Sequence, residues 1–217
     1  MCDLIEWPEY VHKLMNLLCE GILDMLDFLQ ENGLLALNNG GTYVGSGGFG
    51  FTDELPKPGY YLGKEVTTMD MWGLVESQET VSVSPEMYNE FIFPYHKRVA
   101  ERFGLNCYGC CEGYDGRWRY VKNLPRLRRV SVSPWSKWET ITEFLDKNYI
   151  ASIKPSPSHL ALTNMNEDIV RGEINKALSC SRNCVPELIM KDNNTLGNNP
   201  RNASRWVEIA REEIGRL

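Results

Sequence analysis

Short apolar runs suited to β-strands alternate along this chain with longer segments whose apolar residues recur at helical spacing. That alternation restricts the fold more than any other feature of the sequence. Strands separated by helices form parallel β-α-β units with crossovers of one hand. Strand-like runs fall at 34–38, 72–79, 105–108, 129–133, 149–154 and 187–192. Helical segments begin at Pro8 and at Ser84-Pro85-Glu86, and further ones cover 116–123, 137–145, 167–182 and 200–214, the last capped by Asn199. Ser84 has the side chain of a helix cap and Pro85 suits a first turn, so a helix running to about Arg102 is predicted there. The first helix carries Val11, Leu14, Leu18, Ile22, Met25 and Leu29 on one side, the spacing of a helix laid against a sheet, and Gly33 ends it.

The count is six strand–helix units in 217 residues. A closed eight-fold barrel needs eight strands and about 250 residues. Six units therefore predict either an open sheet or the later part of a barrel. A composition of 42% hydrophobic and 24% charged residues supports a sizeable core. The net charge of -6 argues against a nucleic-acid binder. Arg126, Arg128 and Arg129 read as a solvated basic loop. No apolar run reaches the ~18–20 residues that span a bilayer, and the N-terminus lacks a secretory pattern, so neither nucleic acid nor membrane is an expected partner. Seven cysteines, an odd number in a chain of this length, point to a reducing cytoplasm with free or metal-bound thiols. Cys2, Cys19, Cys180 and Cys184 read as structural.

Residues 39–65 interrupt the alternation with a glycine-rich loop. Gly45-Ser46-Gly47-Gly48-Phe49-Gly50 matches a dinucleotide-binding spacing, but no helix opens after it, which removes the required context. An active-site flap is the expected role. In parallel β/α folds the chemistry sits beyond the carboxyl ends of the strands. Those ends supply Asn38 and Asn39; Glu76; Cys110, Cys111 and Glu112; Trp135; Lys154; and Lys191, Asp192 and Asn194. Glu76, Cys110, Cys111, Glu112, Lys154, Lys191 and Asp192 are the catalytic candidates. Asn38, Asn39, Trp135 and Asn194 are candidates for binding a small-molecule substrate. Thiolates bind soft metals or attack carbon, so Cys110, Cys111 and Glu112 are candidate metal ligands, completed by Asp192 or another late-strand residue. Cys107 and Cys110 have the spacing of a zinc knuckle, but no second such pair follows. His12, His96 and His159 read as helix-surface or loop residues.

Several phrases carry a family resemblance. The segment 37–48, Asp70 to Glu79 followed by Ser84-Pro85-Glu86-Met87, and Tyr108-Gly109-Cys110-Cys111-Glu112 resemble a bacterial branch of the uroporphyrinogen decarboxylase superfamily. So do Val132-Ser133-Pro134-Trp135 and Lys191-Asp192. The resemblance spans the chain and implies a (β/α)8 TIM barrel of the uroporphyrinogen decarboxylase type. That barrel would be incomplete, with about six βα units in a single partial domain over 1–217, and an N-terminal segment or chain would supply the rest. It implies two chemistries: decarboxylation of porphyrinogen acetates, and methyl transfer between a corrinoid on a partner protein and a thiol activated by zinc. In the zinc-dependent members a His-x-Cys pair holds the metal; here the pair reads Tyr108-Gly109-Cys110. The histidine that follows the last strand in that branch is Asn194 here. The methyltransferase-like reading places Cys110, with Cys111 and Glu112, at the metal, and Glu76, Lys154, Lys191 and Asp192 around the substrate. The decarboxylase reading asks Lys154, Lys191 and Arg117 to take substrate carboxylates. A third reading is an inactive partial barrel that needs a partner chain.

Overall fold

The computed structural model describes residues 2–45, 48–113 and 116–216. Ser46 and Gly47, at the centre of the glycine-rich run, lie outside the described residues. The chain is α/β, with one five-stranded, all-parallel sheet and helices between the strands. The strands are β1 (Trp72–Val75), β2 (Leu105–Tyr108), β3 (Leu127–Val132), β4 (Ile150–Ile153) and β5 (Val185–Leu188), in the spatial order β1-β2-β3-β4-β5. Spatial order that follows chain order is the order of an arc of a β/α barrel. The helices are α1 (Asp3–Glu6), α2 (Pro8–Glu31), α3 (Pro85–Phe91), α4 (Phe93–Ala100), α5 (Trp118–Val121), α6 (Trp138–Phe144), α7 (Glu167–Cys180) and α8 (Arg201–Ile214). Two compact units divide between Arg129 and Val130, within β3.

In the first unit, α2 ends in a Schellman turn. Gly33 takes φ +64, the Leu34 N–H donates to Leu29 O at 2.9 Å, and the Gly33 N–H donates to Gln30 O at 3.1 Å. The face expected to pack on the sheet is instead open: Leu14 is 55% exposed and Leu18 53%. Cys19 and Leu26 are the buried residues, because α2 lies against α3 and α4. His12 stacks on Phe91 with ring centroids 4.7 Å apart, its Nδ1 pairs with the Tyr95 hydroxyl at 2.9 Å, and Arg98 donates to Asn16 at 2.8 Å. Polar matching selects this face, and a hydrophobic pattern does not record it.

Residues 34–38 form no strand. The Asn38 side chain acts as a one-residue strand instead, accepting the Trp72 N–H at 2.8 Å and donating to Trp72 O at 3.0 Å. Beyond it the glycine-rich segment folds back on itself, with Tyr43 bridged to Phe49 and the Gly50 N–H donating to Thr42 O at 2.9 Å. A Cβ at Gly50 would lie 1.6 Å from Asn38 O, so only glycine fits the crossing. The helix expected from Ser84 to Arg102 is two helices. Ser84 Oγ accepts the Met87 N–H at 3.2 Å as predicted, but the helix breaks at Ile92. Pro94 has no N–H for the Glu90 carbonyl, and its ring crowds that turn. The arginines of the basic run are a solvated loop only at Arg126, which is exposed; Arg128 and Arg129 lie on β3. Arg126 donates to Phe103 O and Glu101 O, Arg128 pairs with Glu54, and Arg129 is buried over the Trp72 ring at 4.8 Å.

In the second unit, β4 and β5 pair in register from Ile150↔Val185 to Ile153↔Leu188. Pro186 cannot donate to a ladder, which suits β5's place at the end of the sheet order. Asn166 caps α7 by accepting the Asp168 and Ile169 N–H groups at 3.1 and 3.2 Å. Between α7 and α8 lies an apolar core of Leu160, Val170, Ile174, Leu178, Trp206, Ile209 and Ala210. Asn199 accepts the Arg201 N–H at 3.2 Å, the capping expected for α8. Among the described residues no helix is long and apolar enough to cross a membrane.

Candidate functional site

Strand β2 is buried along its whole length and delivers the thiols at its carboxyl end. Cys107 is fully buried within it. Gly109 donates its N–H to Val75 O at 2.9 Å, prolonging the ladder, then turns the chain with φ +91. Cys110 and Cys111 follow, both partly exposed, with their Sγ atoms 3.4 Å apart. Glu112 then folds back into the protein and is fully buried. One of its carboxylate oxygens accepts the Ser77 N–H and the other the Cys110 N–H, each at 2.8 Å. Glu112 thus clamps the loop after β1 to the loop after β2 and fixes the backbone that carries the thiols. Glu76, at the end of β1, is exposed.

Behind the clamp lies a polar cluster that sequence reasoning did not find. Burial pushes the Tyr88 phenol up to about 12 and raises Tyr108 well above the ordinary tyrosine range. Burial also holds His96 down, to about 4. The Arg117 guanidinium lies 4.7 Å from the centre of the Tyr88 ring and donates to Thr80 Oγ1 at 3.1 Å and Val83 O at 2.9 Å. Nothing in the spacing of these residues signals their meeting. The one visible clue is Tyr108, at the position where a histidine was expected.

Asn38 and Asn39, expected to bind substrate, hold the fold: Asn38 on Trp72, and Asn39 through a 2.6 Å bond from its amide to Leu55 O. The metal expectation meets a donor set that does not fit. Both oxygens of Glu112 are engaged with backbone N–H groups, and the expected histidine is a buried tyrosine. Among the described residues no three His, Cys, Asp or Glu side chains are grouped to hold a metal. Cys180 and Cys184 form no such group either; Cys184 Sγ donates to Ser181 O at 3.2 Å.

The second unit gathers the other candidates. Lys154 follows β4 and Lys191 lies beyond β5, and both are buried although each carries an ammonium. Burial of a cation is tolerable when an anion or dipole meets it. Lys191 Nζ lies 2.9 Å from Asp192 Oδ2. The hydrogen bond from Lys191 holds the Asp192 carboxyl below the usual range, and the charges of Lys191 and Lys154 add to that effect. Asp192 also borders a cavity of about 270 Å³ lined by Trp135, Ser156, Asn194 and Thr195 among others. Three expected residues, Trp135, Asp192 and Asn194, therefore meet in one cleft. His159 is outside this group and pairs with Glu173 at 3.6 Å.

A five-stranded all-parallel sheet with helices between its strands defines the chain as an α/β protein. Compared with known proteins, the chain matches no family model and no curated sequence.

Proposed function

We propose that this chain is a methyltransferase-like enzyme of the uroporphyrinogen decarboxylase superfamily, acting through the Cys110–Cys111 dithiol in a reducing cytoplasm. The observation that carries the reading is the pair of sulfur atoms 3.4 Å apart, partly exposed at the carboxyl end of β2. One thiol loses its proton to solvent, and the neighbouring S–H donates to the resulting thiolate and stabilises it. The thiolate attacks an electrophilic methyl carbon. A carbon–sulfur bond forms while the bond to the donor breaks, and the electron pair leaves with the donor. A corrinoid on a partner protein supplies such a methyl group as co-substrate. Glu112 positions the backbone under Cys110 and takes no part in bond making. The step needs no zinc, for which the donor set is a poor fit because both Glu112 oxygens are engaged with backbone N–H groups.

The test is mass spectrometry of the protein after anaerobic incubation with methylcobalamin. One added methyl on the Cys110–Cys111 peptide is expected, lost in Cys110→Ser. An unmodified wild-type peptide would end this reading.

A decarboxylase reading has its own support in the second unit, where the charges of the buried Lys154 and Lys191 act on Asp192 at the edge of the cleft. The adjoining cavity, about 270 Å³, is below the ~300–1,000 Å³ of ordinary ligand pockets and small for a tetrapyrrole. It favours a small substrate. Saturable binding of uroporphyrin in an absorbance titration, abolished by Lys191→Gln, would reverse the preference.

A further inference from the structure

The face of α2 turned away from α4 is apolar and open to solvent. Trp7, just before the helix, and Tyr10, Leu14, Leu17, Leu18, Met25 and Phe28 are each more than half exposed. At 100° per residue they fall, with Gly21, within about a third of the helix circumference. Trp7, Leu14, Gly21 and Phe28 recur every seven residues, with Val11, Leu18 and Met25 at the alternate positions, which is the spacing of a helix–helix seam.

We infer that this face pairs antiparallel with the α2 of a second copy of the chain. The stripe, with neighbouring Ile5 and Ile22, exposes on the order of 1,000 Å², against about 800 Å² per partner in a standard interface. Gly21 stands in mid-helix at the centre of the stripe, and a Cβ built there meets no atom within 4 Å. Its own chain therefore gives it no packing reason, whereas a glycine lets a second helix approach closely. Charge sets the direction. Lys13 and Asp24 are both exposed and lie on the same flank of the stripe. The point between residues 18 and 19 lies midway between them and close to the middle of the stripe. Antiparallel pairing about that point brings Lys13 of each copy level with Asp24 of the other, twice by symmetry. Parallel pairing would set each residue level with its own kind. The same register brings Phe28 to the groove lined by Trp7, Tyr10, Val11 and Leu14 on the other copy.

Sedimentation equilibrium of the full chain at micromolar concentration tests the inference. The wild type sediments as a dimer, and Leu18→Glu as a monomer with an unchanged circular dichroism spectrum, since Leu18 is exposed. Gly21→Leu, which favours an isolated helix, weakens the dimer at least tenfold. Lys13→Glu and Asp24→Lys each weaken it, and the double variant restores it. A monomeric wild type, as expected if another segment or protein covers the face, would overturn the inference. So would a dimer indifferent to Leu18→Glu, or a double variant weaker than either single one.

Discussion

The two units of this chain use the same means in different measure, and a buried amide such as Asn202, which ties Leu160 O, Leu162 O and Leu196 O, occurs in the second as well. The second has an apolar core between α7 and α8, edged by ion pairs of Arg171 and Arg205 with Glu167, Glu208, Glu212 and the buried Glu213, and its other buried charges, Lys154 and Lys191, lie at strand ends away from that core. The first relies on buried polar groups at points where regular structure stops. Asn38 stands in for a strand residue beside Trp72. The amide of Asn106 ties Ala100 O and Pro125 O at 2.8 and 2.7 Å, and Glu112 clamps two loops. Where a sheet ends and the chain turns, side-chain amides and carboxylates take over the backbone pairing that a further strand would supply. The thiols belong to the unit held in this more exacting way. Their backbone is fixed by one carboxylate at the end of a buried strand.

The strongest way to break this contrast is Glu112→Ala. It leaves the buried Ser77 N–H and the half-buried Cys110 N–H without their acceptor, and a loss of about 4 kcal/mol is expected. Hydrogen exchange should show lost protection at those amides while α7 and α8 keep theirs. Equal loosening in both units would refute the contrast. Ile209→Ala is the counterpart in the second unit, with about 3 kcal/mol lost to transfer and cavity terms in urea unfolding. Its protection losses should centre on Ile174 and Trp206.

Acid should also separate the units. The folded pKa of His96 is about 4, below the ordinary 6.5 of the unfolded chain. A depressed value means that stability is complete above pH 6.5 and is lost as the pH falls toward the folded value, because the unfolded chain takes up the proton first. About 2.5 kcal/mol should go between roughly pH 7 and 4.5, and His96→Phe should flatten that slope relative to wild type. An unchanged slope would mean that His96 is not the group responsible. The smallest effect is expected from Asn38→Ala. Losing two hydrogen bonds to Trp72 should cost about 1.5–2 kcal/mol, with faster exchange at the Trp72 amide. A silent substitution there would show that β1 does not need its side-chain partner.

Much of the fold was legible because its signals are local. Strand β2 falls at 105–108 as read, bounded by Gly104 and Gly109. Pro8 and Gly33 bracket α2, and Ser84-Pro85 opens α3. Legibility failed where a distant partner decides. The run 34–38 is apolar enough for a strand, but the polar Asn38 at its end makes the contacts with Trp72. The exposed stripe of α2 is the more hydrophobic of its faces, yet His12, Cys19 and Gln30 find matching groups on the other side. For the candidate site, the adjacency of Cys110 and Cys111 and their place at a strand end could be read from order alone. The role of Glu112 could not, because the amide it accepts at Ser77 is thirty-five residues away.

The amino-acid order alone determined the alternating β/α build, the helix limits set by Pro8, Gly33 and Ser84, and a dithiol at the end of a buried strand. All of these follow from backbone preferences and short-range periodicity. Tertiary structure alone decided that Glu112 faces inward, that Asn38 completes a ladder, and that Trp135, Asp192 and Asn194 share a cleft. Each of those outcomes depends on which polar group lies within hydrogen-bonding or contact distance after folding, and chain order does not specify that distance.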